Sequence, residues 1–556
     1  MRVSSAPHAR SARSVARVSA LEEGDCVELE VEGLGFGGIG IAHDSASGLA
    51  VLLDPGVMTL PGARLTARVT QVKARHARAA AEGTMTPSVH QVPSPCIHFS
   101  AETCGGCTAL SLAYLEQVVQ KGAQVAHLFR SVVAGGDVRV EPLVAAGTTE
   151  RYRNKSEFFF DPRTGAVGMH PPRRPDVVTD LPGGCLLQSE SADAALEAIR
   201  VAYAALGPAS ELRTRGKGLC SASVRTGADG EVLLNVVVNT PESVEAVRSE
   251  LLPRFLDAIG AMPWATTTIV VATVEPAATT KSVHRQGSRR QGGRRKPRER
   301  RIHEKQVVLH GDRPWVIDTL CGLRFRVSAS SFFQTNPAQA TLLYDAAVAA
   351  TLELSSMQGG IRDRPFSVLD LYCGTGTIGL CVAHAAASKG IGQVHVVGLE
   401  QSASAVADAE ENARTNNVAN TQFVQCDLAH ADLVAVLSGL GGSIADEKAS
   451  LSSFPSSSGG PPLELPDVVI TDPPRGGMSA KCISDLRRLG PERIVYVSCN
   501  PSTQARDVAA LCDPGGPHAT YALTRVQPFD LFPHTPHIET VAVLDRAGGT
   551  RSAPFR

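Results

Sequence analysis

An α/β class is predicted for this 556-residue chain: a Rossmann-like, doubly wound sheet at the C-terminal end, an α+β central region and an N-terminal OB-like β-barrel. Three observations predict it. From residue 331 onward, buried apolar runs alternate with glycine- or proline-marked turns and helical patterns, as in strand–helix–strand units. Between about 90 and 330, strand and helix patterns mix without that repetition. From Gly24 to about Arg78, short β-rich runs beginning at Cys26, Leu49 and Arg64 are separated by Gly33, Gly35, Gly37, Gly38 and Gly40, the pattern of a small barrel.

Composition bounds the rest. With 43% hydrophobic residues the chain can bury a large core, and its length suggests about three domains. A formal net charge of -1 excludes a uniformly cationic coat, so any surface for a polyanion is a local patch. Thirteen cysteines, with no apolar-centred signal peptide before them, point to reduced thiols or metal ligation rather than a disulfide framework. No run of eighteen apolar residues occurs, so no membrane span is expected. A monomer is the expected state.

Taken in chain order, residues 1–20 hold four arginines, five serines, five alanines and no acidic residue. That is transit-peptide composition, with Val18-Ser-Ala20 as its end, for a plastid or mitochondrion; a disordered basic tail of a cytoplasmic protein has the same composition. The barrel is assigned to 21–85 and resembles the TRAM module, with Lys73, Arg75, His76 and Arg78 as candidate phosphate contacts. The central region, 90–330, is interrupted at 281–305 by a segment with eleven Lys or Arg against two acidic residues, read as a solvated insertion. The C-terminal domain, 331–549, carries a Ser-, Gly- and Pro-rich loop insertion at 438–463.

Four strand ends in that last domain carry chemistry. Ser367-Val-Leu-Asp-Leu-Tyr372 is a buried strand, after which Gly374, Gly376 and Gly379 open a helix with Thr377 in its first turn. Glu400 ends the next strand, about twenty residues on from the loop, where a carboxylate can hold ribose hydroxyls. This fingerprint suits NAD and S-adenosylmethionine equally. Asp467-Val-Val-Ile-Thr-Asp472-Pro473-Pro474-Arg475 then presents a carboxylate stiffened by two prolines at the carboxyl end of the sheet. A dehydrogenase has no use for it; an enzyme that must clamp a planar base does.

Val495-Tyr-Val-Ser-Cys499-Asn-Pro501 places a cysteine where strand gives way to helix. There, unpaired N–H groups and the helix dipole favour a thiolate, which suggests a nucleophile that ionises readily. Glu539 opens the final strand, exposed at its edge or drawn into a site. Upstream, Phe332-Phe333-Gln334-Thr-Asn336 offers two aromatic rings and two amides to a nucleobase or cofactor. In the central region Cys96, Cys104, Cys107 and the distant Cys185 form a four-thiol set that suits zinc or an iron-sulfur cluster. Arg151-Tyr-Arg-Asn-Lys155 combines cations with a ring, as in backbone contact and base stacking. Cys373 and Cys381 read as packing residues, and no role is assigned to His534 or His537.

Together these segments resemble, in the same order, the RNA 5-methyluridine methyltransferase family of the RumA and TrmA type. The matching segments are Phe332-Phe333-Gln334, Asp370-Leu-Tyr-Cys-Gly-Thr-Gly376, Glu400, Asp472-Pro-Pro-Arg475, Ser498-Cys499-Asn-Pro501 and His537-Ile-Glu539. The resemblance implies a Rossmann-like methyltransferase domain that methylates uridine C5 in RNA, with Cys499 as nucleophile and Glu539 as base. It implies further that Gln334, Tyr372, Glu400 and Asp472, with Gly374 and Gly376, line an S-adenosylmethionine pocket; Thr377 stands where some relatives carry Asn. It also implies a [4Fe-4S] cluster on Cys96, Cys104, Cys107 and Cys185, with zinc as the alternative, although the first cysteine gap is slightly longer here. Barrel plus cluster favours ribosomal RNA over transfer RNA as partner. An NAD-dependent oxidoreductase and a non-catalytic RNA-binding protein are the rivals from other classes.

Overall fold

The computed structural model describes residues 21–133, 138–260, 268–274, 305–329, 331–357, 364–440, 465–515 and 518–548. The N-terminal segment 1–20 and nearly all of the insertions at 281–305 and 438–463 lie outside the described residues. The chain forms two compact units, one of residues up to Pro93 with Ser111–Glu116, the other of Ser94–Leu110 with everything from Gln117 onward.

In the first unit the sheet order is Cys26–Glu30, Arg64–Val72, His76–Thr86, Ala50–Leu53, Gly40–His43 and Gly33–Leu34. The two end members of that order are consecutive in the chain. Val31 N donates to Ala63 O at 2.9 Å and Glu32 N donates to Ile41 O at 2.8 Å, so the sheet curls onto itself and leaves no long open edge. Alternation does the rest: along Arg64–Val72, Leu65, Ala67 and Val69 point inward and join Leu29, Val51, Leu53, Ala77 and Ala79 in the barrel core. Lys73, Arg75 and Arg78 are exposed at the turn between the two longest strands, and His76 is half-buried.

The second unit holds two large sheets. One is seven-stranded, in the order Thr179–Asp180, Val167–Met169, Lys155–Phe160, Leu219–Thr226, Val232–Val238, Thr268–Val274 and Lys305–His310, antiparallel except between Val232–Val238 and Thr268–Val274. Helices Glu190–Ala204 and Leu252–Gly260 supply Ile199, Tyr203 and Phe255 to its core. This is the expected α+β region.

The other sheet is eight-stranded: Thr421–Gln425, Val394–Glu400, Phe366–Leu371, Val468–Thr471, Arg493–Ser498, Glu539–Arg546, Tyr521–Phe529 and Arg139–Val140. Its first five strands are parallel; Phe366–Leu371, Val468–Thr471 and Arg493–Ser498 are buried along their whole length, which is why they read as mostly apolar runs. The chain starts at the Phe366–Leu371 strand, winds outward, then returns to Val468–Thr471 on the other side. That reversal opens a crevice at the carboxyl ends of these two strands.

Two pieces from before residue 331 belong to this sheet's core. Val125 and Phe129 of helix Tyr114–Val133 pack with Leu371 and Tyr496, and the following Arg139–Val140 strand caps the edge at Tyr521–Phe529. The hairpin Trp315–Leu320 and Leu323–Ser328 contributes Leu320, Phe325 and Val327 to the opposite face. Sequence periodicity shows that a helix or hairpin has an apolar face but not which sheet that face covers.

Candidate active site

The glycine loop is built by backbone conformations that its residues permit. After the buried Phe366–Leu371 strand, Tyr372, Gly374 and Gly376 adopt φ of 61°, 55° and 78°, and Gly376 caps helix Thr377–Ser388. A Cβ on Gly379 would lie 2.9 Å from Val396 and 3.0 Å from Asp370, because its N–H donates to Asp370 Oδ2 at 2.9 Å. Around Gly374, by contrast, a Cβ would meet nothing within 4 Å. Gly374 N donates to Glu400 Oε2 at 3.2 Å, and Ser402 N donates to Oε1 at 2.8 Å. The carboxylate at the second strand end is thereby fixed against the loop. Thr377 is half-buried at the helix start, its hydroxyl 3.3 Å from that of Thr375. Tyr372 turns its phenol to the thiol of Cys482 and packs with the cluster around Tyr496.

Asp472 follows the fully buried Val468–Thr471 strand, with its N–H donating to Leu371 O at 3.3 Å. Burial pushes its carboxyl up to about 7. Burial also pushes Asp370 up to about 8, with Asp472 and Glu400 adding to it. Gln334 is buried and hydrogen-bonds the phenol of Tyr344, on helix Pro337–Met357. That phenol is driven well up by burial and by the nearby carboxyls of Asp472 and Glu539. Tyr344 therefore links three of the predicted site residues. It escaped the sequence reading because a tyrosine on a largely apolar helix looks like core. The aromatic pair divides: Phe333 is in the core, whereas Phe332 is 73% exposed.

Cys499 and Glu539 meet across adjacent antiparallel strands, where Ser498 pairs with Thr540. Asn500 caps the following helix, its Oδ1 accepting from Ser502 N at 3.2 Å, with Pro501 in the first turn. The expected easy ionisation is not found. The Cys499 thiol is pushed up to about 11, first by burial, then by Glu539 and Asp472, with Arg475 opposing. Cys499 stands before the cap, Asn500 satisfies one of the free N–H groups, and burial, with two carboxyls adding to it, outweighs the helix dipole. Glu539 is 3% exposed, and burial, with Asp472 adding, drives its carboxyl well up. His537 is lowered to about 4 by burial and by Arg475, so it is a neutral imidazole at neutral pH.

The segment leading into Glu539 is held by Gln117 and Lys121, which the sequence did not single out, and by Asn336. Lys121 Nζ donates to Asp530 Oδ1 at 2.7 Å and to Phe532 O at 3.1 Å. Asn336 Nδ2 donates to Leu531 O at 2.9 Å, and His534 N donates to Gln117 Oε1 at 2.9 Å. Gln117 and Lys121 are polar yet buried, one turn apart on an amphipathic helix, which was the available signal. Of the proposed RNA-contacting run 151–155, Arg151 is exposed, whereas Tyr152 and Asn154 are turned inward. Tyr152 is buried and donates to Pro533 O at 3.1 Å, and Asn154 N donates to Thr335 O at 2.9 Å. A ring 7% exposed cannot stack on a base.

A family model described as tRNA (uracil-5-)-methyltransferase matches residues 321–547, spanning the glycine loop, Asp472, Cys499 and Glu539. An RNA methyltransferase of Chlorobaculum tepidum is 32% identical over 522 residues, covering 90% of this chain and 93% of the relative. The chain belongs to the RNA (uracil-5-)-methyltransferase family. An RNA methyltransferase of Halalkalibacterium halodurans is 30% identical, covering 94% of this chain and 98% of its own length. In fold, the methyltransferase is similar to the Pyrococcus abyssi tRNA (uracil-54, C5)-methyltransferase solved with S-adenosyl-L-homocysteine. That likeness has a TM-score of 0.57 at 22% identity and covers 93% of this chain and 99% of that one. The dinucleotide reading of the glycine loop and the non-catalytic reading are set aside with this membership.

The methyltransferase also gathers its four central cysteines. Cys96, Cys104, Cys107 and Cys185 line one cavity of roughly 100 Å³ with Met169, Leu181 and Leu187. Burial pushes the Cys104 thiol up to about 11 and raises those of Cys107 and Cys185, the neighbouring thiols adding to the shifts of Cys104 and Cys107. The loop is tightly fitted: Gly105 N donates to His170 O at 2.9 Å and Cys185 N donates to Asp193 Oδ1 at 2.7 Å. Thr108 N and Ala109 N both donate to His534 O, at 2.9 and 3.1 Å, which ties the cysteine loop to the segment before Glu539. Among the described residues, no three His, Cys, Asp or Glu side chains converge as ligands of a single metal ion.

Proposed function

We propose that the enzyme methylates C5 of a uridine in RNA, ribosomal RNA in preference to transfer RNA, through a covalent bond between Cys499 and uracil C6. The observation that carries this reading is that Cys499 and Asp472, at the carboxyl ends of neighbouring parallel strands, and Glu539, at the amino end of the adjacent antiparallel strand, lie around one point beside the glycine loop. S-adenosylmethionine supplies an electrophilic methyl group on a sulfonium. Its adenosine fits the open face at Gly374 with ribose hydroxyls on Glu400, and Gln334, Tyr372 and Asp472 complete the pocket.

Uracil C5 is too weakly nucleophilic to take that methyl unaided. Thiolate addition at C6 turns the ring into an enolate whose C5 can attack, which splits one hard step into easier ones. Glu539 then accepts the proton left on C5, and the C6–S bond breaks to return the thiolate. Its raised proton affinity suits a base that acts late. A stacked uridine cannot enter, so the base is flipped from an RNA loop, with the exposed Phe332 as a surface for its neighbour. Mass spectrometry of ribosomal and transfer RNA from cells lacking the protein tests the reading. Loss of one 5-methyluridine from ribosomal RNA is expected; loss from transfer RNA alone would move the substrate to that class, and no loss in either would end the proposal.

The N-terminal barrel is read as a TRAM module that meets RNA phosphates through Lys73, Arg75 and Arg78. Cys96, Cys104, Cys107 and Cys185 are read as ligands of a [4Fe-4S] cluster. The thiols surround a cavity with apolar walls rather than meeting at a point, which suits a cluster better than one zinc ion held at about 2.3 Å. Burial keeps these thiols protonated without a cation, so ligation and deprotonation go together. Protein purified without oxygen is expected to be brown and to release iron and acid-labile sulfide, about four of each per chain; stoichiometric zinc with no sulfide would refute the cluster.

A further inference from the structure

The loop 530–538 joins the strands Tyr521–Phe529 and Glu539–Arg546, and Glu539 is the residue at which it ends, paired with Phe529 to close the ladder. The loop is irregular yet mostly buried, with Leu531, Pro533, His534, Thr535 and Ile538 shielded from solvent. A buried loop must find partners inside the protein for its backbone N–H and C=O groups. In its middle, His534 takes φ 67°. That left-handed conformation is costly for a residue with a side chain and persists where the surroundings enforce it.

Gln117, 2% exposed, does much of the enforcing. His534 N donates to Gln117 Oε1 at 2.9 Å, and Gln117 Nε2 donates to Ala109 O at 3.0 Å. One of these backbone groups can only donate and the other can only accept, so the amide can be turned in one way. Nε2 also lies 3.1 Å from His534 Nδ1, which is therefore the acceptor there and carries no proton. From the other side Thr108 N and Ala109 N both donate to His534 O. The N–H, the carbonyl and the ring of His534 are thus all held by Gln117 and by the two residues after Cys107 and Thr108's neighbourhood in the cysteine loop. Lys121, Asn336 and Tyr152 hold the loop at 530–533; Gln117 holds it one step nearer Glu539.

We propose that Gln117 is a positioning residue for removal of the C5 proton: its amide locks the loop that ends at Glu539 onto the cysteine loop, and the Glu539 carboxyl keeps its place beside Cys499 while that lock holds. The inference rests on the reading of Glu539 as the base. Glutamine suits the task because one planar amide carries a donor and an acceptor, the pair needed to bridge a backbone N–H to a backbone carbonyl. Leucine fills nearly the same space and offers neither. With leucine at 117, His534 N–H and Ala109 O are left buried and unmet, the left-handed turn loses its support, and the Phe529–Glu539 pair frays from the loop side.

Full-length Q117L, H534V and H534G are compared with the parent by two readouts. In amide hydrogen exchange followed by mass spectrometry, peptides covering 530–540 of Q117L are expected to exchange about tenfold faster or more, with the Arg493–Ser498 strand unchanged. In single-turnover methylation of a ribosomal RNA fragment, Q117L is expected to form the covalent adduct at a rate near the parent's but to release it about tenfold more slowly, so that methylated RNA stays on the protein in a denaturing gel. H534V attacks the same joint from the other side, because a branched side chain resists positive φ, and is expected to follow Q117L. H534G keeps the backbone bonds and takes the left-handed turn without cost, and is expected to match the parent. Equal slowing of adduct formation and release, or faster exchange throughout the chain, would make Gln117 a support of the fold and overturn the proposal. It is overturned equally should Glu539→Gln trap the adduct while Q117L and H534V do not. No adduct with Glu539→Gln either would sink the functional reading instead; faster exchange confined to 530–540 would then uphold the lock, and unchanged exchange would end it.

Discussion

Cys499→Ala is expected to reduce methyl transfer by on the order of 10⁴-fold or more while RNA affinity stays within a few-fold of the parent. The size follows from the chemistry, because without a sulfur at C6 the uracil ring has no enolate to present to the methyl group. Flipping, phosphate contact and base stacking do not involve the thiol, so binding should survive. Folding should survive as well. Cys499 is half-buried and lies outside the helix, and the cap made by Asn500 and Pro501 does not depend on it. Single-turnover transfer of a labelled methyl group to a ribosomal RNA fragment, paired with a filter-binding assay, separates the two effects. Residual activity within tenfold of the parent would refute covalent catalysis at this position.

Glu539→Gln should fail at a later point and leave a different trace. The carboxyl lies 3% exposed, and burial beside Asp472 drives it well toward its neutral form. An isosteric neutral amide therefore fits the resting site with little cost to the fold. Thiolate addition and methyl transfer do not need the base, but removal of the C5 proton does. The C6–S bond cannot then break, and protein should accumulate on methylated RNA as a species retarded in a denaturing gel and released by protease. The pH dependence of the parent carries the same signature. Raised affinities at Cys499 and Glu539 both favour the protonated forms, and the reaction needs each group ionised in turn, so turnover should rise with pH through the neutral and mildly alkaline range. Rapid, adduct-free turnover by Glu539→Gln would remove it from the role of base.

Several elements could be read from residues alone because their causes are local. Gly374, Gly376 and Gly379 announce a loop with left-handed backbone and close packing, and the first two do take positive φ. Val468–Thr471 and Arg493–Ser498 are mostly apolar runs because strands covered on both faces favour apolar side chains. Pro501 after Asn500 marks a helix start wherever it occurs. The spacing of turn residues along 24–86 sufficed for the barrel, since a strand's alternation is written every second residue.

The electrostatic state of the site was not local and could not be read this way. The helix after Cys499 suggested an acidic thiol, but burial reverses the sign, with two carboxyls distant in sequence, brought close by the pairing of Arg493–Ser498 with Glu539–Arg546 and with Val468–Thr471, adding to it. Tyr152 carried the look of a ring for stacking, and only the packed chain shows it buried with its hydroxyl on Pro533. The sequence by itself determined the class of fold, the order of the strand ends and the residue types available for chemistry. Tertiary structure decided which sheet the helix Tyr114–Val133 and the hairpin Trp315–Ser328 serve and which charges face the nucleophile. The reason is physical: backbone preference acts over a few neighbouring residues, whereas burial and Coulomb interaction depend on distances that only the folded chain sets.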